Sequence, residues 1–259
     1  MQCYKQPDAL CTLRAWPSTH ENLKRLFDWA DQDAVLHDEN ITVYIGQIPS
    51  PDYGAHLCCV HIVCIGSEDD KYRELIGQLV GTEGDIELIP VDRHPWSTPQ
   101  TCFDASFSRM YWYVTQTHFP KDAPLDDGVI REAVETYNKV PLNPSHPIIV
   151  WEQRGSPKSS KYHAFSSDSC AQPRFGQRWE AYIFYGTADK ENGETVRDQG
   201  RDMKKLIAKY GTPGGRVHFT KDEPGRIDFY YGPNTDKLRE VVDKYDKGRL
   251  FAKCNGMEF

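Results

Sequence analysis

The run His56-Leu57-Cys58-Cys59-Val60-His61-Ile62-Val63-Cys64-Ile65 is almost wholly apolar and carries no acid, lysine or arginine. It is too short to cross a bilayer as a helix. Its β-branched content reads as a strand, and apolar residues on both of its faces place that strand in the middle of a sheet. Ile41-Thr42-Val43-Tyr44-Ile45 precedes it as a second strand, across turn chemistry at Pro49–Gly54. Two strands joined by so short a connection form an antiparallel hairpin. The rest of the chain has to supply strands beside this hairpin and helices to cover it.

Ala9 to Trp16 reads as a first strand, ended by Pro17. Ser18-Thr19-His20-Glu21 is a capping-box signature, and Leu23, Leu26, Phe27 and Ala30 follow at helical spacing, so helix one runs to about Ala34. Ser67 caps a second helix with Tyr72, Leu75, Ile76 and Leu79 on its face, and Ile86 to Val91 is a short strand or extended piece. Pro95 to Phe107 is irregular or briefly helical. Tyr111 to Thr115 is a strongly aromatic strand, and Asp126 to Lys139 is a helix with Val129, Ile130, Ala133, Val134 and Tyr137 on one side. Strands are read at Pro147–Arg154 and Arg178–Tyr185, a long Ser- and Lys-rich loop between them, and a helix at Glu194–Tyr210. Val217-His218-Phe219 is a short strand. Ile227 to Tyr231 alternates as a closing strand, and Leu238, Val241, Val242 and Tyr245 form the apolar stripe of a closing helix.

Hairpins interrupted by helices, without sustained βαβ alternation, give an α+β fold: one mostly antiparallel sheet with helices packed on one face. Residues 1–259 are read as one domain, in preference to two lobes divided at the Pro141–Pro147 break. Hydrophobic residues make up 39% of the chain, enough for a substantial core. The net charge of −7 and the absence of a Lys/Arg block argue against nucleic acid as a partner. No apolar run has transmembrane length, and Met1 to Asp8 shows no signal-peptide core, so a cytoplasmic protein with no membrane partner is expected. The eight cysteines show no zinc-type spacing and are expected as reduced thiols. His56 and His61 fall on opposite faces of their strand. Cys59 and His61 share a face but show no third ligand, so no metal is expected. There is no nucleophile elbow for covalent Ser or Cys catalysis.

Tyr231, Gly232, Asn234, Leu238, Tyr245, Asp246 and Phe251 match the closing segment of the berberine-bridge-enzyme-like flavin oxidases, with Thr235, Lys237 and Lys247 departing from it. Thr42-Val43-Tyr44, Gln100-Thr101-Cys102-Phe103-Asp104, Tyr111-Trp112 and Glu152-Gln153 with Gly155 follow in the order of motifs in that family's substrate domain. From about Ala9 onward the chain resembles that domain. What the resemblance implies is a substrate domain without the FAD-binding domain that normally precedes it. No Gly-x-Gly-x-x-Gly or Walker motif offers a replacement. The implication is an enzyme with no cofactor, because hydride transfer belongs to the flavin. By the resemblance, the family's catalytic Tyr aligns with Phe219, and the Asn immediately before it aligns with His218.

By the same resemblance, the positions of Glu180 and Tyr182 point toward substrate. Alternation puts Arg178, Glu180, Tyr182 and Phe184 on one face of their strand. The expected proton-transfer residues are His218 and Glu180, with Tyr182 polarising a carbonyl. The expected substrate-binding residues are Tyr113, Trp112, Glu152, Phe184 and Phe219. Each has a plainer reading: an exposed strand for Glu180, a hydrogen-bonded structural histidine for His218, sheet core for the aromatics. The favoured function is a cofactor-independent, redox-neutral step (cyclisation, isomerisation or dehydration) on a hydrophobic polyketide- or terpenoid-like molecule. The rivals are a subunit that completes a split FAD-dependent oxidase and a truncated oxidase. A homodimer through the surface where the family has its flavin domain is the expected assembly.

Overall fold

The computed structural model describes residues 8–102, 110–120, 124–143, 145–153, 177–211, 231 and 234–248. Its strands are β1 (Ala9–Pro17), β2 (Ile41–Ser50), β3 (Ala55–Cys64), β4 (Ile86–His94), β5 (Tyr111–Pro120), β6 (His146–Gln153) and β7 (Gln177–Thr187). Its helices are α1 (His20–Ala30), α2 (Asp33–Leu36), α3 (Asp69–Gly77), α4 (Ser97–Thr101), α5 (Asp127–Tyr137), α6 (Gly193–Ala208) and α7 (Thr235–Tyr245). The strands form one sheet in the order β4-β1-β3-β2-β6-β7-β5, with every recorded pairing antiparallel. The α+β architecture expected from the hairpins and helices is the one the chain adopts. The apolar run of β3 lies between β1 and β2, as its lack of a polar face requires.

The main core lies between the sheet and α1, α3, α5 and α6. Each strand sends alternate residues into it. On β7 these are Trp179, Ala181, Ile183 and Tyr185, and on β2 Ile41, Val43 and Ile45. Phe27 of α1 stands edge-on between Trp151 and Trp179, with ring centroids 5.5 and 4.9 Å away. Burying each of these rings contributes about 2–3 kcal/mol. Two smaller apolar clusters lie on the other face, at the β4–β1–β3 end. There Trp96 and Cys102, flanking α4, pack against Ala9, Cys11, Leu13, Ala15, Cys59 and Val63. The helical cover is therefore one-sided except at this end, where the short α4 closes the second face.

Local signals moved by a residue or two. Thr19, not Ser18, is the N-cap of α1, its hydroxyl accepting from the Asn22 amide. Helix one stops at Ala30, and Val35 and Leu36 are buried from the separate short helix α2. Glu68 occupies the cap of α3, with no side-chain cap bond, in place of Ser67. Strand β5 runs five residues beyond Thr115, because pairing with β7 along its whole length fills its ladder. The closing helix α7 forms, but its apolar stripe is not core: Val241 is 51% and Tyr245 73% exposed. The strand read at Val217–Phe219 and most of that at Ile227–Tyr231 lie outside the described residues.

Candidate active site

Opposite the helices, one transverse row of the sheet is polar. Register pairs Leu13 of β1 with His61 of β3, His61 with Tyr44 of β2, Tyr44 with Glu152 of β6, and Glu152 with Glu180 of β7. Directly paired antiparallel residues share a face, so these side chains form a continuous line. On β5 the register position opposite Glu180 is His118. The next row places Val150, Tyr182 and Gln116 opposite one another on β6, β7 and β5.

Glu152, Tyr182 and Glu180 converge. The Tyr182 hydroxyl oxygen lies 2.7 Å from Glu152 Oε2 and 3.0 Å from Glu180 Oε2. Glu180 is 2% exposed, Gln116 and Tyr182 are buried, and Glu152 is half-buried. Two carboxyl groups directly opposite across a strand pair are unfavourable on their own. A phenol placed between them offsets part of that cost by donating its proton to one of them. The Tyr182 ring also lies nearly parallel to that of Phe184, 6.3 Å between centroids and 16° between planes. A carboxyl pair joined by a phenol can take a proton from a bound molecule and return one.

Trp112 shares this face. Its indole lies over Gly186 of the neighbouring strand, where a Cβ would sit 2.6 Å from ring carbons, so only glycine leaves it room. It meets the His146 ring edge-on at 5.9 Å. Sequence reasoning placed Glu180, Tyr182, Phe184, Glu152 and Trp112 as candidates, and the sheet brings all five to one face. Tyr113 is on the other face. It pairs with Tyr185 and packs beneath α6, where a Cβ on Gly200 would come within 2.4 Å of its ring, so it is not brought to the others. Arg178 also leaves the expected face. The register slips at Phe119/Pro120, and the Arg178 guanidinium reaches back to Asp31 beside α1, Nε 2.8 Å and Nη2 2.7 Å from Oδ1. Burial raises the Asp31 carboxyl above its usual range, and the Arg178 charge opposes that shift. His218 and Phe219 lie outside the described residues.

Tyr44 and Gln116 were not among the site residues expected from sequence, and His61 was weighed there only as a metal ligand. The available signal was the alternation of Tyr44 with Val43 and Ile45 in an already assigned strand. His61 stacks on Tyr44 at 6.1 Å and 22°. It is buried, and burial pushes its imidazole down to about 4, so the ring is neutral at physiological pH. Cys102 Sγ lies 3.8 Å from His61 Nδ1 and 3.7 Å from Nε2. A sulfur equidistant from both ring nitrogens is not in line with either lone pair. The same thiol is 3.4 Å from the Pro99 carbonyl. This is not the geometry of a thiolate–imidazolium nucleophile. Burial raises the Cys58 and Cys64 thiols to about 12 and the Cys59 thiol further still, which keeps them protonated and unreactive. Among the described residues no three His, Cys, Asp or Glu side chains are grouped to hold a metal ion. No helix among them is long and apolar enough to cross a membrane.

No protein-family model matches the sequence, and no curated protein does. Solved structures do match. A variant of BBE-like 1 from Physcomitrella patens superposes with a TM-score of 0.73 over 94% of this chain and 52% of its own, at 12% identity. 6-Hydroxy-D-nicotine oxidase from Arthrobacter nicotinovorans gives 0.70 over 94% and 53%, at 16% identity. GilR in complex with pregilvocarcin, an oxidoreductase of the terminal step of gilvocarcin biosynthesis, gives 0.69 over 94% and 55%, at 12% identity. The fold is berberine-bridge-like. The chain spans about half the length of the structures it matches.

The berberine-bridge-like family uses FAD, and the described residues do not fit the diphosphate of that cofactor. A diphosphate needs converging N–H groups and positive charge. Among the described residues the glycines with positive φ are Gly54, Gly66, Gly81 and Gly84, all in turns between elements. Gly66 precedes α3, whose first turn carries Asp69 and Asp70. The sheet face opposite the helices carries Glu152 and Glu180, which repel phosphate.

Proposed function

We propose that this berberine-bridge-like chain is a redox-neutral enzyme of natural-product biosynthesis, acting by proton transfer on a hydrophobic polyketide- or terpenoid-like substrate held against the sheet face opposite the helices. The observation that carries this reading is the Glu152–Tyr182–Glu180 cluster: two carboxyl groups within hydrogen-bond reach of one buried phenol. Glu180 exchanges a proton with substrate carbon. Tyr182 polarises a carbonyl, and Trp112 and Phe184 supply flat apolar surface for a ring system. His218 and Phe219 remain members of the proposed site by their resemblance alone. Such steps need orientation and one or two proton-transfer groups, and no cofactor of the chain's own. The pregilvocarcin complex of GilR, an oxidoreductase of gilvocarcin biosynthesis, supports a biosynthetic intermediate as the substrate class.

The test is deuterium exchange. The purified chain is incubated in D2O with unsaturated polycyclic ketones, without flavin, and incorporation at carbon is followed by mass spectrometry. We expect exchange or isomerisation that falls about 100-fold or more in Glu180→Gln, the range for losing a general acid–base group. Exchange unaffected by that substitution refutes the role of Glu180.

A second reading has its own support. The matched chains are oxidases and about twice as long as the matched region, so the chain could be the substrate half of an oxidase completed by a separate flavin-binding half. Turnover that appears only when a flavin-loaded partner is added, with dioxygen consumed, would establish that reading over the first.

A further inference from the structure

Three arginines of this chain use the same edge of the guanidinium. Arg14 gives Nε and Nη2 to the two carboxylate oxygens of Asp85, at 2.9 and 2.5 Å. Arg93 gives that edge to both oxygens of Asp69, at 2.9 and 2.6 Å. Arg178 gives it to one oxygen of Asp31, at 2.8 and 2.7 Å. The hydrogens on this edge lie parallel, a fork that matches a carboxylate. Arg25 of α1 departs from the pattern. Its Nε and Nη2 are shielded from water and have no hydrogen-bond partner. It forms no ion pair with Glu21, one turn earlier, or with any other described acid. Its guanidinium carbon lies instead 5.2 Å from the ring centroid of Trp16. Shielded polar groups are nearly always partnered, so an unanswered charged fork marks a place where a further acceptor fits.

Arg25 lines a groove of about 590 Å³ on the helical side of the sheet, between α1 and the end of α3. The other cations on its wall are answered. Lys24 Nζ reaches both carboxylate oxygens of Asp28, at 2.7 and 2.5 Å, and His20 Nε2 meets Asp127 Oδ1 at 2.8 Å. Glu21 is exposed to water. Asp85 senses Arg25 from a distance. Burial opposes the shift, but Arg14 and the Gly81 amide hold its carboxyl below the usual range, and Arg25 adds to this without touching it. Both Asp85 oxygens are already taken by Arg14, and Oδ2 by the Gly81 amide as well. Among the described residues of the groove wall, Arg25 is therefore the cation with no acid in contact.

We infer that this groove is a binding site for a small monocarboxylate, anchored on the Nε/Nη2 edge of Arg25. The guanidinium, resting on Trp16, turns toward the groove when a carboxylate offers both oxygens, because a bidentate charge-assisted pair is stronger than a contact with an indole face. The third nitrogen, Nη1, has no hydrogen bond and is not shielded, so the turn starts from an edge that water already reaches. One negative charge is favoured over two, since Glu21 and Asp28 stand on the same wall and repel a dianion. The volume lies in the ordinary range for small-molecule sites. Trp16 closes β1 and donates from Nε1 to Thr82 Oγ1 at 3.0 Å, so its indole feels the movement of Arg25. The groove is on the opposite side of the sheet from Glu152, Tyr182 and Glu180, and the inference does not depend on the reading of that face.

The test is a titration of the whole chain, labelled with 15N at arginine, with sodium benzoate and sodium acetate at pH 6. Sodium chloride and sodium sulfate at matched ionic strength are the comparison. The readouts are the arginine Nε–H NMR signals and tryptophan fluorescence. We expect one Nε–H signal, missing from Arg25→Lys, to shift and saturate with both carboxylates while chloride and sulfate leave it in place. Lysine keeps a positive charge near Trp16 but has no fork, so the affinity for benzoate, followed by fluorescence, should fall about tenfold or more. An affinity unchanged in Arg25→Lys overturns the site. Equal shifts with chloride or sulfate also overturn it, because they report screening of a charge and not recognition of a carboxylate. The absence of any saturable shift with either carboxylate in the native protein overturns it without a variant having to fold.

Discussion

His61 makes the stability of this chain depend on pH in a direction and amount that the structure sets. Its ring is 2% exposed, stacked on Tyr44 and touched by Cys102, and burial lowers its pKa from 6.5 to about 4. The folded state holds the ring neutral, whereas the unfolded chain protonates it below 6.5. The unfolded state therefore binds more protons between pH 6.5 and about 4, and stability falls as pH falls through that window. Above 6.5 the contribution is complete. At about 1.4 kcal/mol per pH unit, the whole window is worth roughly 3 kcal/mol, and about 2 kcal/mol of it is lost between pH 7 and pH 4.5. The comparison is urea unfolding of the native protein and His61→Phe at those two pH values. Phenylalanine keeps a ring against Tyr44 and cannot titrate, and the acidic residues shared by both proteins cancel in the difference. We expect the variant to lose about 2 kcal/mol less than the native protein on acidification. Equal losses in the two proteins refute the assignment of a buried neutral imidazole, whatever the variant costs at pH 7.

Two further outcomes follow from close contacts. Gly200→Ala places a Cβ 2.4 Å from Tyr113 Cδ1 and 3.4 Å from Tyr185 Cβ. Overpacking of about 1–3 kcal/mol outweighs the gain of about 1 kcal/mol in helix propensity, so urea midpoints should fall, and a more stable variant would contradict the packing of α6 on the sheet. Asp31→Asn removes the charge that the buried Arg178 guanidinium answers. It should cost about 2 kcal/mol in chemical unfolding at pH 7, and a cost near zero would show that the pair contributes nothing to holding β7 against α1.

The tests of the site are of a different kind, because they separate chemistry from folding. Glu180→Gln and Tyr182→Phe are nearly isosteric. They change what the cluster can donate and accept while leaving its volume in place. The same substitutions therefore read the exchange of substrate protons apart from any change in packing.

Much of this fold is written in local pattern. The apolar run of β3 has nowhere to go but the middle of a sheet. The alternation of Trp179, Ala181, Ile183 and Tyr185 against Glu180, Tyr182 and Phe184 fixes which side chains share a face, because the two-residue period of a strand is a property of the backbone. The sequence thus determined the fold class, the core faces and five of the residues now gathered on the face opposite the helices. Tertiary structure decided what those residues do to one another. Glu152 meets Glu180, and Tyr44 meets both Glu152 and His61, only through registers between strands distant in the chain. Register depends on the summed pairing of whole strands, which no local window contains. The same holds for Arg178, which left its expected face at a slip in pairing with β5, whereas the parting of Tyr113 from Trp112 follows from the local two-residue period alone. Types of residue and their faces are local consequences of chemistry and backbone geometry, while the meeting of two carboxyl groups at one phenol is a consequence of the sheet as a whole.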